Sequence, residues 1–435
     1  MASFFQKAVA GCFIFGLVFI AGCDNSDDLA NKKSSLAISE TEAKAIIKHY
    51  AELAYWNFED ALITAKALKV AVQNLVDNPS EITLTKARQA WKQARIPYSQ
   101  SEVFRFGNAI VDNWEGQLNA WPLDEGLVDY VQADNYTYEH GNEGALANII
   151  ANETLQVGSQ QTDLTVLSPE LLASLNELGG SEVNVATGYH AIEFLLWGQD
   201  LNGNGPGAGN RPYTDYSLGA ECTNGHCQRR GEYLIAAADL LVSDLEYMAQ
   251  QWHPGMIGNY REKLLGEDIG QGLRKMLFGM GSLALGELAG ERMKVALEAN
   301  SPEEEQDCFS DNTHHSHYYN GIASFNVYSG YYQRADGKEL NGPSIAAWVR
   351  SREPEMASRV MAAFQKTRES LQLLVDSAEK EQVAFDQLIA TGNLEGHALI
   401  HKNINALVAQ TRLVEEVAQL MGIDQLNPDN ADHDF

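Results

Sequence analysis

Apolar residues recur at helical spacing along most of this chain, and runs with the strict alternation of a half-buried strand are nearly absent. That period commits the chain to packed helices. Ser39-x-x-Glu42 matches a capping box. After it, Ala43, Ile46, Ile47, Tyr50, Leu53, Ala54 and Phe58 keep helical register as far as Leu75-Val76, and Asp77-Asn78-Pro79 predicts the stop. A second helix is expected over 82–98, interrupted near Pro97. Ser168-Pro169-Glu170 opens a shorter one, and long helices are expected over 232–252, 269–299, 355–390 and 395–421. The segment 269–299 carries six glycines, each costing about 1 kcal/mol relative to Ala inside a helix. That cost predicts close approach of another helix or a ligand.

The reading is an all-α protein of two helical bundles, a N-terminal domain over 39–210 and a C-terminal one over 211–426. The boundary falls in the Gly-rich stretch from Gly198 to Gly231. Residues 427–435 form an acidic tail, expected to fray. Interfaces between bundles are where such folds place metal and ligand sites.

The first residues read as targeting rather than fold. Lys7 gives a weak positive start, and Val9 to Phe19 is an apolar run too short to span a bilayer. Ile20-Ala21-Gly22-Cys23 resembles a bacterial lipoprotein signal. That resemblance implies a signal peptide over 1–22, cleavage before Cys23, a diacylglyceryl group on the Cys23 sulfur and a flexible tether over 23–38. A plain secretory signal is the alternative. Either exports the chain, and acyl chains would anchor it to the membrane without spanning it. The leaflet stays open. A net charge of -28 argues against nucleic acid as a partner and favours a cation.

Export permits disulfides. Cys222 and Cys227, close together in the Gly-rich stretch, are expected to pair; a structural zinc with His226 is the alternative. Cys308 is then odd, a free thiol or a ligand. Asp200-x-Asn202-x-Asn204-Gly205 has the form of half a calcium loop, but its twelfth position is Arg211, so a solvated loop is the better reading.

The chemistry centres on Gly188-x-His190-x-x-Glu193, inside the apolar run Ile192 to Trp197. On a helix, His190 and Glu193 share a face with Cβ atoms about 5–6 Å apart, and that pair can hold one divalent metal. The alternative is a satisfied core pair. Ser101 to Asn108 and Asn119 to Gly126 mix aromatic and charged residues, which line a pocket or cover a core edge. His314, His315 and His317 could bind metal; packing at a domain junction is the preferred reading.

The Gly188-x-His190-x-x-Glu193 motif resembles the signature of the imelysin family. Ser101-Glu102-Val103-Phe104-Arg105-Phe106-Gly107-Asn108, Asn119-Ala120-Trp121-Pro122-Leu123-Asp124-Glu125-Gly126 and Cys308-Phe309-Ser310-Asp311-Asn312-Thr313-His314 resemble its iron-regulated protein A branch. The resemblance implies an exported, all-helical, two-domain protein with a site at the domain interface. It implies a metal shell of His190, Glu193, Glu102 and Asp124. Arg105 and Glu125 would lie behind those ligands, orienting them or holding a substrate carboxylate. One imidazole and three carboxylates suit iron, with zinc, manganese or copper as alternatives. The partners expected are the metal, the membrane through a lipid anchor on the periplasmic side, and an envelope iron-uptake protein.

The family takes its name from an insulin-cleaving membrane peptidase, so a metal-dependent peptidase is the second reading. Residues 190–194 read His-Ala-Ile-Glu-Phe, not the His-Glu-x-x-His of zincins, and Glu125 is the one candidate base. Metal binding for iron acquisition or sensing therefore ranks first. A non-catalytic envelope interaction protein ranks third.

Overall fold

The computed structural model describes residues 38–435 apart from 133, 135 and 139. The signal peptide, Cys23 and nearly all of the tether lie outside the described residues. What is described is mostly helical, with two short antiparallel hairpins.

Helix α1 (Glu40–Asp77) starts at the capping box: Glu42 N donates to Ser39 Oγ, and Ser39 N donates to the Glu42 carboxylate at 3.1 Å. Helix α2 (Glu81–Ser101) runs through Pro97 without the expected interruption. Asn57 of α1 donates to the Pro97 carbonyl at 2.8 Å and ties that turn to its neighbour. Helices α3 (Ala109–Asn119), α4 (Gly188–Trp197) and α5 (Cys227–Trp252) follow. Helix α1 packs along α2 and α5, while α4 lies against α2, α3 and α5.

Helix α6 (Ile269–Ser282) passes directly into a π-helical stretch, Leu283–Val295. Then come α7 (Thr313–Ser329), α8 (Pro354–Asp376) and α9 (Leu394–Leu420). The helix expected over 355–390 breaks after α8, where a π turn, Ser377–Glu381, precedes a short helix, Phe385–Ile389. Helix α7 packs against both α2 and α8. Strands β1 (Thr154–Val157) and β2 (Gln160–Asp163) pair with Thr154 opposite Asp163. Strands β3 (Tyr331–Gln333) and β4 (Glu339–Asn341) pair with Tyr331 opposite Asn341.

Residues on both sides of position 210 build the two largest apolar clusters. One gathers Tyr50, Phe58 and Phe104 with Trp252, Met280 and Tyr328. The other gathers Trp91, Tyr189 and Phe194 with Tyr233 and Leu241. The Gly-rich stretch therefore does not divide one core from another. Within it, Cys222 and Cys227 form a disulfide. Arg211 turns inward, its guanidinium 2.7 Å from Asp129 and 3.0 Å from Asp215. That placement puts a cation where a calcium loop needs its last carboxylate.

The glycines after residue 269 do serve close approach. A Cβ on Gly279 would meet the Val103 carbonyl, and Cβ atoms on Gly281, Gly286 and Gly290 would meet Pro428, Asp429 and His433. The C-terminal tail thus lies along these glycines rather than fraying. Asp429 N donates to Ser282 Oγ at 2.9 Å, and His433 Nε2 sits 3.0 Å from Glu291. Among the described residues no helix is long and apolar enough to cross a membrane.

Candidate metal centre

Helix α4 is buried over all ten residues, which is why its sequence is apolar on every side. Its C-terminal carbonyls are individually satisfied: Leu195 O by Tyr216 Oη at 2.5 Å, Leu196 O by Arg88 Nε at 3.0 Å, Trp197 O by Arg211 N at 2.7 Å. Trp91 Nε1 of α2 donates to Tyr189 O at 2.9 Å. At the other end Gly188 has φ +83°, and a Cβ there would strike the Leu118 carbonyl at the end of α3. The motif's glycine is thus required twice, by backbone conformation and by space.

This clamped helix holds His190 Nδ1 3.0 Å from Glu193 Oε2. A third group arrives from far along the chain: Asp307 Oδ1 lies 3.9 Å from the same Nδ1. One ligand atom from each of His190, Glu193 and Asp307 falls within 4.8 Å of the others. None of the three is more than 2% exposed. Ser310 N and Oγ donate to Glu193 Oε1 at 3.0 and 2.6 Å. Asp307 accepts from Arg95 Nη2 at 2.9 Å, Asn312 Nδ2 at 2.9 Å and Ser316 Oγ at 2.5 Å.

Burial dominates the electrostatics. It pushes the His190 imidazole down to about 3, with Arg95 adding to the shift, so the ring is neutral and has a lone pair to give. Burial, then the Asp307 charge, pushes the Glu193 carboxyl well above its usual range, against the Ser310 hydrogen bonds and Arg95. Burial acts on Asp307 too, but Arg95 and His190 outweigh it and hold that carboxyl below the usual range. Of the two carboxylates, Asp307 is thus compensated by Arg95, while burial disfavours the charged form of Glu193.

The other ring nitrogen, His190 Nε2, is buried and has no hydrogen-bond partner among the described residues. A cavity of about 10 Å³ adjoins it, lined by Trp121, Pro122, Gln306, Cys308 and Phe309 among others. On the Nδ1 side of the ring, one imidazole and two carboxylates form a donor set that suits Fe, Mn or Zn.

The other residues expected at the site hold other partners. Glu102 Oε2 lies 2.5 Å from Arg292 Nη2, and its Oε1 accepts from Asn119 Nδ2 at 3.4 Å. Asn119 in turn accepts from Arg95 Nη1 at 2.5 Å, so Glu102 reaches Asp307 through two intervening side chains. Asp124 accepts from Tyr136 Oη at 3.2 Å and from Asn142. Neither Glu102 nor Asp124 belongs to the His190 cluster of ligand atoms found among the described residues. Arg105 pairs with Asp112, Glu115 and Glu287 at 3.0, 3.5 and 3.4 Å. Glu125 starts a short helix, and burial, then the Glu303 charge, pushes its carboxyl up to about 8. Asp307 is the ligand candidate the sequence reading missed. It follows a run of acids, Glu303-Glu304-Glu305, and Gln306, and precedes Cys308-Phe309-Ser310, whose Ser310 also reaches the site.

Comparison with known proteins follows the same lines. The imelysin family model matches residues 54–414. Iron-regulated protein A of Synechococcus elongatus is 30% identical over 110 residues. That match covers 25% of this chain and 31% of the relative, so the chain spans about a third of that curated protein's length. The fold is shared with the crystal structure of a protein described as an iron-regulated protein A precursor from Parabacteroides distasonis. It is 17% identical, with a TM-score of 0.63, covering 88% of this chain and 96% of that one. An imelysin-like protein from Psychrobacter arcticum 273-4 is 18% identical, with a TM-score of 0.59, covering 89% and 97%.

Proposed function

Because this chain belongs to the imelysin family, we propose that it is an exported, lipid-anchored protein that binds a metal cation, iron first, for iron acquisition or sensing. The observation that carries this reading is the buried convergence of His190, Glu193 and Asp307 from distant stretches of chain. His190 supplies a neutral nitrogen, Glu193 the carboxylate that wants a positive charge, and Asp307 a second oxygen ligand. Arg95 stays behind as the fixed cation that neutralises Asp307 when the site is empty. Glu102 and Asp124, held by other partners, are assigned no ligand role. The cation is cargo in this reading, and the lipid on Cys23 would keep the protein at the periplasmic face of the membrane.

The peptidase reading is disfavoured by access. A peptide carbonyl must reach the metal, yet the three ligands are at most 2% exposed and the adjoining cavity is about 10 Å³. The relative's name, iron-regulated protein A, points the same way. The test is elemental analysis of the purified chain beside a His190→Ala, Glu193→Ala double variant. The first is expected to hold one equivalent more of iron or another divalent metal than the second. Equal metal content in both would sink the assignment.

A further inference from the structure

A second group of ligand-bearing side chains comes together at the start of α7. His314 and His315 open α7, and Glu379 comes from the π turn that follows α8. One ligand atom from each lies within 4.8 Å of the others. Unlike the inner cluster, this one reaches the surface: His314 is 6% exposed, but the His315 and Glu379 side chains are 30% and 54% exposed.

The hydrogen bonds fix which nitrogen is free. Asp307 is flanked by donors and accepts from Asn312 Nδ2 at 2.9 Å, so the Asn312 amide must present its oxygen on the other side. That oxygen, Oδ1, lies 3.2 Å from His315 Nδ1, which must therefore carry the ring hydrogen. Nε2 is then the ring nitrogen left to face Glu379 Oε1, at 3.1 Å. Either a proton or a metal cation can bridge an imidazole nitrogen and a carboxylate oxygen at that distance. Ligand atoms on one zinc or iron are about 3.0 Å apart at a right angle and about 3.4 Å apart in a tetrahedron. The observed span falls in that range. An imidazole whose second nitrogen is tied down by an amide is the usual arrangement behind a metal-bound histidine.

We propose that His314, His315 and Glu379 form a second, surface-facing site for a divalent cation such as zinc or ferrous iron. Two histidines and one carboxylate leave coordination positions open to solvent. Lys92, whose Nζ donates to Ser310 O at 3.3 Å, acts electrostatically on both imidazoles and opposes a cation there. The site is thus suited to a cation that exchanges rather than one that stays. Asn312 joins it to Asp307, so the two sites share one amide. The outer site stands on its own residues and does not depend on the inner assignment.

The test is calorimetric titration of the full chain with zinc(II), counting equivalents. The proteins compared are wild type, His315→Ala with Glu379→Gln, His190→Ala with Glu193→Ala, and all four substitutions together. Their exposure lets the His315 and Glu379 substitutions leave the fold intact, which an unchanged Tm verifies. The outer pair is expected to remove one equivalent in either background, with residual affinity at least tenfold weaker. If it removes none in either background, the proposal is overturned. One equivalent lost only with the outer pair would keep this site and remove the inner one. One lost only with the inner pair, or no zinc bound at all, overturns this site.

Discussion

Arg95 and Asp307 meet at 2.9 Å with both side chains at most 1% exposed, across more than two hundred residues of sequence. The pair binds α2 to the loop ahead of α7. Removing one partner of such a pair strands a charge in the interior, which costs about 3–5 kcal/mol. Arg95→Met is expected to lower stability by that amount in urea unfolding. A loss below about 1 kcal/mol would mean that Asp307 is neutral or hydrated in the folded chain.

Metal affinity should rise with pH. Burial favours the protonated form of the Glu193 carboxyl, while it pushes the His190 imidazole down to about 3 and so favours the neutral ring. A cation must displace the Glu193 proton and takes none from the imidazole. Calorimetry in buffers of different ionisation enthalpy should therefore count about one proton released per cation. Zero protons, with affinity that does not rise with pH, would contradict the raised Glu193 carboxyl.

Gly188 and Gly116 make opposite predictions for the same change. Gly188→Ala forces an L side chain into φ +83° and against the Leu118 carbonyl, and should cost roughly 1–3 kcal/mol or more. Gly116 lies inside α3 with nothing within 4 Å of a Cβ, so Gly116→Ala should stabilise by about 0.5–1 kcal/mol. Thermal unfolding of the two variants checks both signs.

Glu125 sets a pH window. Its folded value, about 8, lies above the ordinary 4.5, so between those limits the folded chain holds a proton that the unfolded chain has lost. Its contribution to stability is complete below about pH 4.5 and is lost as pH rises through about 8. Glu125→Gln should remove that loss, gaining up to roughly 4 kcal/mol on wild type at pH 9 and little at pH 4. Parallel stability profiles for the two proteins would show that Glu125 is not desolvated.

The helices were legible where local signals agree. Ser39 and Glu42 cap α1 as their spacing requires, and Gly198 ends α4 as expected, though the helix starts at Gly188 rather than just after Ser181. The π stretches after Ser282 and Asp376 left no such mark, because a wider turn needs no change in residue type. His190 and Glu193 were legible as a pair because one helical turn fixes their distance. Asp307 was not, since nothing local distinguishes it from the acids just before it; Arg95 and Ser316 select it, and only the fold brings them there. Glu102 was equally opaque, an acid among aromatics whose partner, Arg292, lies on a helix 190 residues later.

The distance along the chain between Glu193 and Ser310, 117 residues, bears on the order of events in the cell. A growing polypeptide makes its imidazole and first carboxylate long before the loop that completes their cage exists. The cage can close only once the later stretch has been synthesised and docked. If the cage takes a cation as proposed, loading would follow folding, and the compartment in which the chain folds would set which ion is available.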